Sequence, residues 1–177
     1  MEEKSRGAMR FNELVAGVTG DLSVYQATKS VLACNEKSGD YLLTLTEEQA
    51  REIVEHKNTA AKENGLIELK GGVVPQIIDS FCDSAYLDSY NYVSSLKTFT
   101  TVFLRIRNEL PGTVADEEII YCLRTDFDRY CGGDIDCLES VCGPNIISFF
   151  NLHNSLKNYV HLPPWEEDAF DEEDEYE

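Results

Sequence analysis

The stretch DSYNYVSSLKTFTTVFLRIRNEL, residues 88–110, decides the fold of this chain. Along it apolar residues recur every three or four positions, at Val93, Leu96, Phe99, Phe103, Ile106 and Leu110. Because an α-helix makes one turn in 3.6 residues, this spacing puts them on one face of a helix. The pattern therefore predicts one long amphipathic helix that must bury its apolar face against neighbours, and the Pro-Gly pair that follows predicts its end.

The same helical period extends through most of the chain on both sides of that stretch. Thr46-Glu47-Glu48-Gln49 has the form of a capping box, in which the Thr side chain and the Gln side chain each bond the other's backbone N–H. Further helices are expected to begin near Asp21, Pro75, Asp116, Asp134 and Pro144. We expect an all-α fold, a single compact bundle of six or seven helices over residues 21–162, in which 41–45 and 66–69 can add a minor two-stranded ribbon.

The two ends of the sequence differ from this helical body. Residues 1–20 are expected to form an N-terminal extension. Residues 163–177 begin with two prolines and continue WEEDAFDEEDEYE, and the part from 166 holds nine acids and no base. Because it has too little apolar content to offset chain entropy, we expect a disordered acidic tail.

The net charge of the chain limits the kinds of molecule that it can bind. The chain carries a net charge of -18, half of it in the tail. A charge of this sign argues against binding nucleic acid through a basic patch and favours a basic protein partner. With two acids in its first three residues, the start does not resemble a secretory leader, and no uncharged run is apolar enough for a membrane span. A cytoplasmic location with six reduced cysteines is expected.

Three segments carry a resemblance to a known family. They read LTEEQAREIVEHKNTAAKENGLIEL, VVPQIIDSFCDSAYLDSYNY with the helix that ends RIRNEL, and DEEIIYCLRTDFDRYCGGDIDCLESV. Together they resemble a bacterial family of small cytoplasmic proteins that is classed as a domain of unknown function, over about residues 31–141. The resemblance implies no activity, cofactor or site residue.

The segment FDRYCGGDIDCLES, residues 127–140, has partial metal-site patterns. Counted from Asp128, it resembles an EF-hand loop with Gly at position 6, Asp136 at 9 and Glu139 at 12, and Asp134 lies between them. Positions 3 and 5, which should offer side-chain oxygens, are Tyr130 and Gly132. The alternative interpretation is a Gly-Gly turn between helices, in which Asp134 caps the second helix.

Cysteines in the same region suggest zinc. Cys122, Cys131, Cys137 and Cys142 are separated by gaps of eight, five and four residues, with His153 and His161 further along. Zinc knuckles pair their ligands two to four residues apart, so the spacing favours free thiols over a metal site. The sequence therefore predicts no cofactor.

Linear catalytic motifs are absent from the sequence. It has no Gly-rich phosphate loop, no GxSxG and no HExxH. The favoured function is a non-enzymatic interaction module, a helical adaptor or regulatory subunit, with Tyr86, Tyr90 and Tyr92 as candidate contact residues. One alternative is an acidic mimic of nucleic acid. Another is an enzyme whose site is assembled from scattered polar residues, of which the first to inspect are Asp79, Glu118, Asp126, Asp128, His56 and His153.

Overall fold

A computed structural model describes residues 22–66, 72–110, 112 and 114–159, with side chains up to 153. Within these ranges the regular structure is helical and there is no strand. The predicted N-terminal extension, 1–20, and acidic tail, 163–177, lie outside the described residues. None of the helices in these ranges combines the length and the apolar content that crossing a membrane requires.

The helices follow one another with short connections. They are α1 at 22–33, α2 at Asn35–Ser38, α3 at Glu47–Glu63, α4 at Val73–Phe81, α5 at Tyr92–Glu109, α6 at Asp116–Arg129, α7 at Ile135–Cys137 and α8 at Gly143–Tyr159. A 3-10 turn, Gly39–Tyr41, follows α2, and a π-helical turn, Leu138–Cys142, joins α7 to α8. Apart from the short α2 and α7, six helices of nine residues or more occupy the described ranges, which confirms the predicted all-α fold.

Helix α5 is the centre of the bundle. It packs against α3, α4, α6 and α8, and it buries residues on more than one of its sides. Phe99 of α5 stacks on Phe81 of α4 with ring centroids 4.1 Å apart and meets Phe127 of α6 edge-on at 4.9 Å. Each aromatic pair of this kind stabilises the fold by about 0.5–1.5 kcal/mol, in addition to the stabilisation from burying its apolar surface. The stretch 88–110 therefore forms the core element that its periodicity predicts.

Capping explains where two of the helices begin. The Thr46 capping box is confirmed: Gln49 N donates to Thr46 Oγ1 at 3.2 Å, and Thr46 N donates to Gln49 Oε1 at 2.9 Å. Helix α5 begins at Tyr92 and not at 88, because the Asp88 carboxylate accepts the N–H groups of Tyr90 and Asn91 at 2.8 and 2.9 Å. Those bonds hold a turn ahead of the helix.

The two-stranded ribbon is not formed by its first half. Residues 39–41 make a 3-10 turn and Leu42 has a left-handed φ of 62°. Leu45 is buried, and its backbone pairs with the side-chain amide of Asn35, whose Nδ2 donates to Leu45 O and whose Oδ1 accepts from Leu45 N, both at 2.8 Å. The Asn35 side chain thus makes the two hydrogen bonds to the Leu45 backbone that a neighbouring strand would make in a sheet. Of the second half, 66–69, only Leu66 is described.

Candidate metal centre

Three thiols converge where α6, α7 and the π-helical turn meet. Cys131 Sγ lies 2.9 Å from Cys137 Sγ and 3.3 Å from Cys142 Sγ, and all three sulfurs are within 4.8 Å of one another. Among the described residues, this is the one group of three or more His, Cys, Asp or Glu side chains whose ligand atoms come so close. We call these residues the three-cysteine cluster. Cys142 is buried, whereas Cys131 and Cys137 are half-buried and reach the surface.

A Gly-Gly turn places Cys131. The chain leaves α6 and reverses at Gly132 and Gly133, which have left-handed φ values of 56° and 85°. Gly133 N donates to Phe127 O at 2.9 Å, which folds the turn back onto α6. A Cβ atom on Gly133 would lie 2.5 Å from Cβ of Tyr86, so this close approach needs glycine. The turn therefore brings the residues that follow it back beside Cys131.

Asp134 places Cys137. Its carboxylate accepts the N–H groups of Asp136 at 2.9 Å and of Cys137 at 3.1 Å, as an N-cap residue does. Its own N–H donates to Cys131 O at 3.1 Å, so the loop between the two cysteines is closed by a backbone hydrogen bond. The cap role that the sequence offered for Asp134 is present.

The π-helical turn places Cys142. Residues five apart in an α-helix are rotated by about 140° about its axis, which would turn Cys142 away from Cys137. In the π-helical turn the hydrogen bonds span five residues, as from Gly143 N to Leu138 O, so each turn is wider and residues five apart are rotated by less than in an α-helix. The wider turn thus brings Cys142 to the side on which Cys131 lies.

Arg105 of the central helix α5 supports this turn with a hydrogen bond. Its Nη2 donates to Glu139 O at 2.6 Å, a carbonyl within the π-helical turn. Gly143 makes room for the guanidinium, because a Cβ there would lie 2.8 Å from Arg105 Nη2. A charge-assisted bond from the central helix therefore fixes the segment that carries Cys142.

Burial favours the protonated form of two of the clustered thiols, Cys131 and Cys142. It raises the pKa of Cys131, to which the adjoining thiols of Cys137 and Cys142 add. Burial also raises the pKa of Cys142, with a further contribution from the charge of Asp126 and an opposing one from the hydrogen bond with Cys131. A metal ion that binds here must displace protons, in exchange for strong bonds to thiolates.

The predicted EF-hand carboxylates do not share a centre. The Asp128 carboxylate pairs with Arg124 Nε at 2.7 Å and accepts from Ser84 Oγ at 2.7 Å, on the side of α6 that faces α4. Asp134 is occupied as a cap, and no three carboxylates of the set Asp128, Asp134, Asp136 and Glu139 come within 4.8 Å of one another. The ligands of this segment that do converge are its cysteines.

No three of the scattered polar residues of the enzyme alternative bring their carboxylate or imidazole atoms within 4.8 Å of one another. His56 Nε2 bonds Thr101 Oγ1 at 2.9 Å, Glu118 caps α6 through the N–H of Ala115 at 3.0 Å, and His153 stacks on Phe149. Asp126 alone lies beside the cluster, where burial raises the pKa of its carboxyl and the hydrogen bond with Cys142 opposes that shift.

The three candidate interaction tyrosines have different surroundings. Tyr92 is 1% exposed and belongs to the core, so its ring is not on the surface. Tyr86 is 44% exposed and packs edge-on against Phe127, with ring centroids 6.1 Å apart. Tyr90 is 96% exposed at the turn before α5. The interaction role remains a prediction for Tyr86 and Tyr90.

The three-cysteine cluster does not follow the ligand spacing of zinc knuckles, which is why the sequence favoured free thiols at these positions. Cys122, which it grouped with the other three, lies on α6 outside the cluster. A usable signal was present in Cys131-Gly132-Gly133-Asp134: two glycines followed by a capping residue indicate a tight reversal that returns the chain to Cys131.

The fold and this centre define a class of protein, a small all-α domain with a three-thiol cluster at the junction of three helical segments. The chain belongs to DUF6323, a family of unknown function, which it matches over residues 30–155. The resemblance to a domain of unknown function is thereby confirmed, and the match includes the whole cluster. Comparison with curated proteins and with solved structures finds no match.

Proposed function

We propose that this protein binds one thiophilic metal ion, Zn²⁺ in the first instance, through Cys131, Cys137 and Cys142. The observation that supports it is the convergence of the three sulfurs within 4.8 Å. Thiolates around a tetrahedral zinc ion lie about 2.3 Å from it and so about 3.8 Å from one another. The present sulfur–sulfur distances differ from that value by about 1 Å or less, so small side-chain rotations are enough to reach it.

The number of ligands gives a bound metal ion an open coordination position. Structural zinc sites close the ion with four protein ligands, whereas three ligands leave a position for water or an external group. Cys131 and Cys137 reach the surface, so an incoming ligand can approach from that side. Copper(I) is the other common ion that thiolates select, and the experiment below includes it.

The role predicted from the sequence fits within this proposal. In a non-enzymatic regulatory subunit, metal occupancy at the junction of α6, α7 and α8 would change the surface offered to a protein partner. The bacterial cytoplasm expected from the family resemblance suits the site, because a reducing compartment keeps thiols available for metal.

The test is a metal titration of the reduced, chelator-stripped full-length protein. Competition with a chromophoric chelator gives the affinity for Zn²⁺ and, without oxygen, for Cu⁺; native mass spectrometry gives the stoichiometry. We expect one ion per chain. Serine at Cys131, Cys137 or Cys142 should weaken binding by at least ~100-fold, more than the ~10–100-fold typical of residues that only orient a ligand.

Cys122→Ser is the matched control. It removes a half-buried thiol from α6 that is outside the cluster, and it should leave the affinity unchanged. Circular dichroism verifies that each variant is folded. Absence of binding, or equal losses in the Cys122 and Cys142 variants, would refute the proposal.

A further inference from the structure

We infer that Cys131 and Cys137 form a dithiol–disulfide couple, so that oxidation of this pair ejects the metal ion. The inference rests on the proposed function for its second half, the release of metal. Its first half, the disulfide, rests on geometry alone.

Distance selects the pair. Among the six cysteines, all within the described residues, sulfur–sulfur contacts join Cys131 to Cys137 at 2.9 Å and to Cys142 at 3.3 Å. A disulfide bond is about 2.0 Å long, so the closer pair needs a small rotation of its side chains. Cys137 is half-buried, whereas Cys142 is buried, so an external oxidant reaches Cys137 more easily.

The loop between the two cysteines is already closed in the folded protein. The bond from Asp134 N to Cys131 O and the Asp134 cap on Cys137 N hold its two ends together. A covalent bond across them therefore requires little rearrangement of the backbone. Cys142 is carried by the separate π-helical turn, which Arg105 holds from α5, and it remains a thiol.

The reaction is an exchange with a small-molecule disulfide, such as oxidised glutathione. One thiol of the pair loses its proton and attacks a sulfur of the small disulfide, which forms a mixed disulfide and releases one small thiol. The second protein thiol then loses its proton and displaces the other small thiol. Two protein thiols are oxidised and one small disulfide is reduced to two thiols. Because the new bond uses two of the three metal ligands, disulfide and metal exclude each other.

The test treats the reduced, metal-free full-length protein with oxidised glutathione, blocks remaining thiols by alkylation, and maps disulfides by mass spectrometry of peptides. We expect a 131–137 disulfide that forms in Cys122→Ser and Cys142→Ser and is lost in Cys137→Ser. With Zn²⁺ at 100 times its Kd, only ~1% of the protein is metal-free, so oxidation should slow about 100-fold.

Each outcome has a definite meaning. Absence of a disulfide in the metal-free protein, or a 131–142 bond as the main product, overturns the inference. A 131–137 disulfide that forms equally fast with zinc bound overturns the coupling. A 131–137 disulfide in a protein that binds no metal in the separate titration overturns the proposed function and leaves the dithiol couple standing.

Discussion

Tyr92 is a residue whose burial has a measurable consequence at alkaline pH. Its ring is 1% exposed, and burial raises the pKa of its hydroxyl to about 12 from the usual 10.0, opposed by an interaction with Ser38. Within the described residues, neither hydroxyl makes a hydrogen bond of full geometry. The native state therefore keeps the Tyr92 proton at a pH where the unfolded chain has lost it, and stability due to neutral Tyr92 is present below pH 10 and declines as pH rises toward about 12.

Tyr92→Phe should remove that decline. At pH 7 we expect the free energy of unfolding to change by less than ~1 kcal/mol, because no good hydrogen bond is lost. Urea denaturation at pH 7 and at steps above pH 10 measures both effects. Tyr90→Phe makes the same change at a 96% exposed residue and should follow the wild type throughout. If the Tyr92 and Tyr90 variants lose stability in parallel above pH 10, the buried hydroxyl is not the cause.

At the scale of elements, the Gly-Gly turn after α6 is the feature most sensitive to one added methyl group. Gly133→Ala forces a residue with a side chain into φ 85° and puts its Cβ 2.5 Å from Tyr86 Cβ. The left-handed conformation alone costs about 1–2 kcal/mol, and the contact with Tyr86 adds to it. We expect a loss of at least ~2–3 kcal/mol in the free energy of unfolding and weaker metal binding, since the turn brings Cys131 and Cys137 together.

Gly65→Ala separates the two causes. Gly65 has a similar φ of 67°, but nothing lies within 4 Å of its added Cβ. It should show the conformational cost without the clash and without any effect on metal affinity. Equal destabilisation by the two substitutions, measured by urea denaturation, would contradict the role given to Tyr86.

The π-helical turn offers a second prediction at this scale. Arg105→Met keeps an unbranched apolar stem and removes the guanidinium that bonds Glu139 O, so Cys142 loses part of its support. We expect zinc affinity to fall about 10-fold, as when a residue that orients a ligand is lost. Arg107→Met, on the same helix, removes a bond to Val114 O and an ion pair with Asp116 away from the cluster. It should lower stability without changing the affinity, and equal affinities in the two variants would show that Arg105 does not position Cys142.

Local signals predicted the elements well because each depends on neighbours in sequence. The apolar period over 88–110 and the capping box at Thr46 both involve residues within one or two helical turns, and both are confirmed. The helix expected from Asp134 is a three-residue α7 followed by the π-helical turn. That turn depends on Arg105, more than thirty residues away, which pairs with one of its carbonyls. A contact between residues so far apart in sequence produces no periodic pattern from which it could be predicted.

A conformation set by distant contacts is also the reason why the cluster was not predicted. The gaps between the cysteines do not follow the spacing of zinc knuckles, and in a regular α-helix Cys137 and Cys142 would in addition point in directions about 140° apart. Because residues 138–142 form a π-helical turn instead, the Cys142 sulfur lies beside those of Cys131 and Cys137. Likewise, the carboxylates of the EF-hand-like pattern have the right order in sequence, but Arg124 and the cap position of Asp134 direct two of them elsewhere.

For the whole molecule, metal binding should stabilise the fold, because the three-cysteine cluster joins α6, α7 and the turn that leads into α8, and α8 packs on α5 and α6. A ligand at 100 times its Kd that binds only the native state adds ~2.7 kcal/mol. For a chain of this length that corresponds to a rise in melting temperature of about 5–10 °C. Differential scanning calorimetry of the reduced protein with and without Zn²⁺ measures the rise, and the Cys131/Cys137/Cys142 triple serine variant should show none.

A chain ending at residue 165 tests whether the shift belongs to the helical body. The truncation removes nine acids and half of the net charge of -18, so it would abolish any zinc binding that the acidic tail supports. Thiolates hold zinc by direct bonds of about 2.3 Å, so a site built from three of them does not require the carboxylates of the tail. We expect the truncated chain to show the same zinc-dependent shift as the full chain. A shift that disappears with the tail, while the triple serine variant retains it, would place the metal on the carboxylates and not on the cysteines.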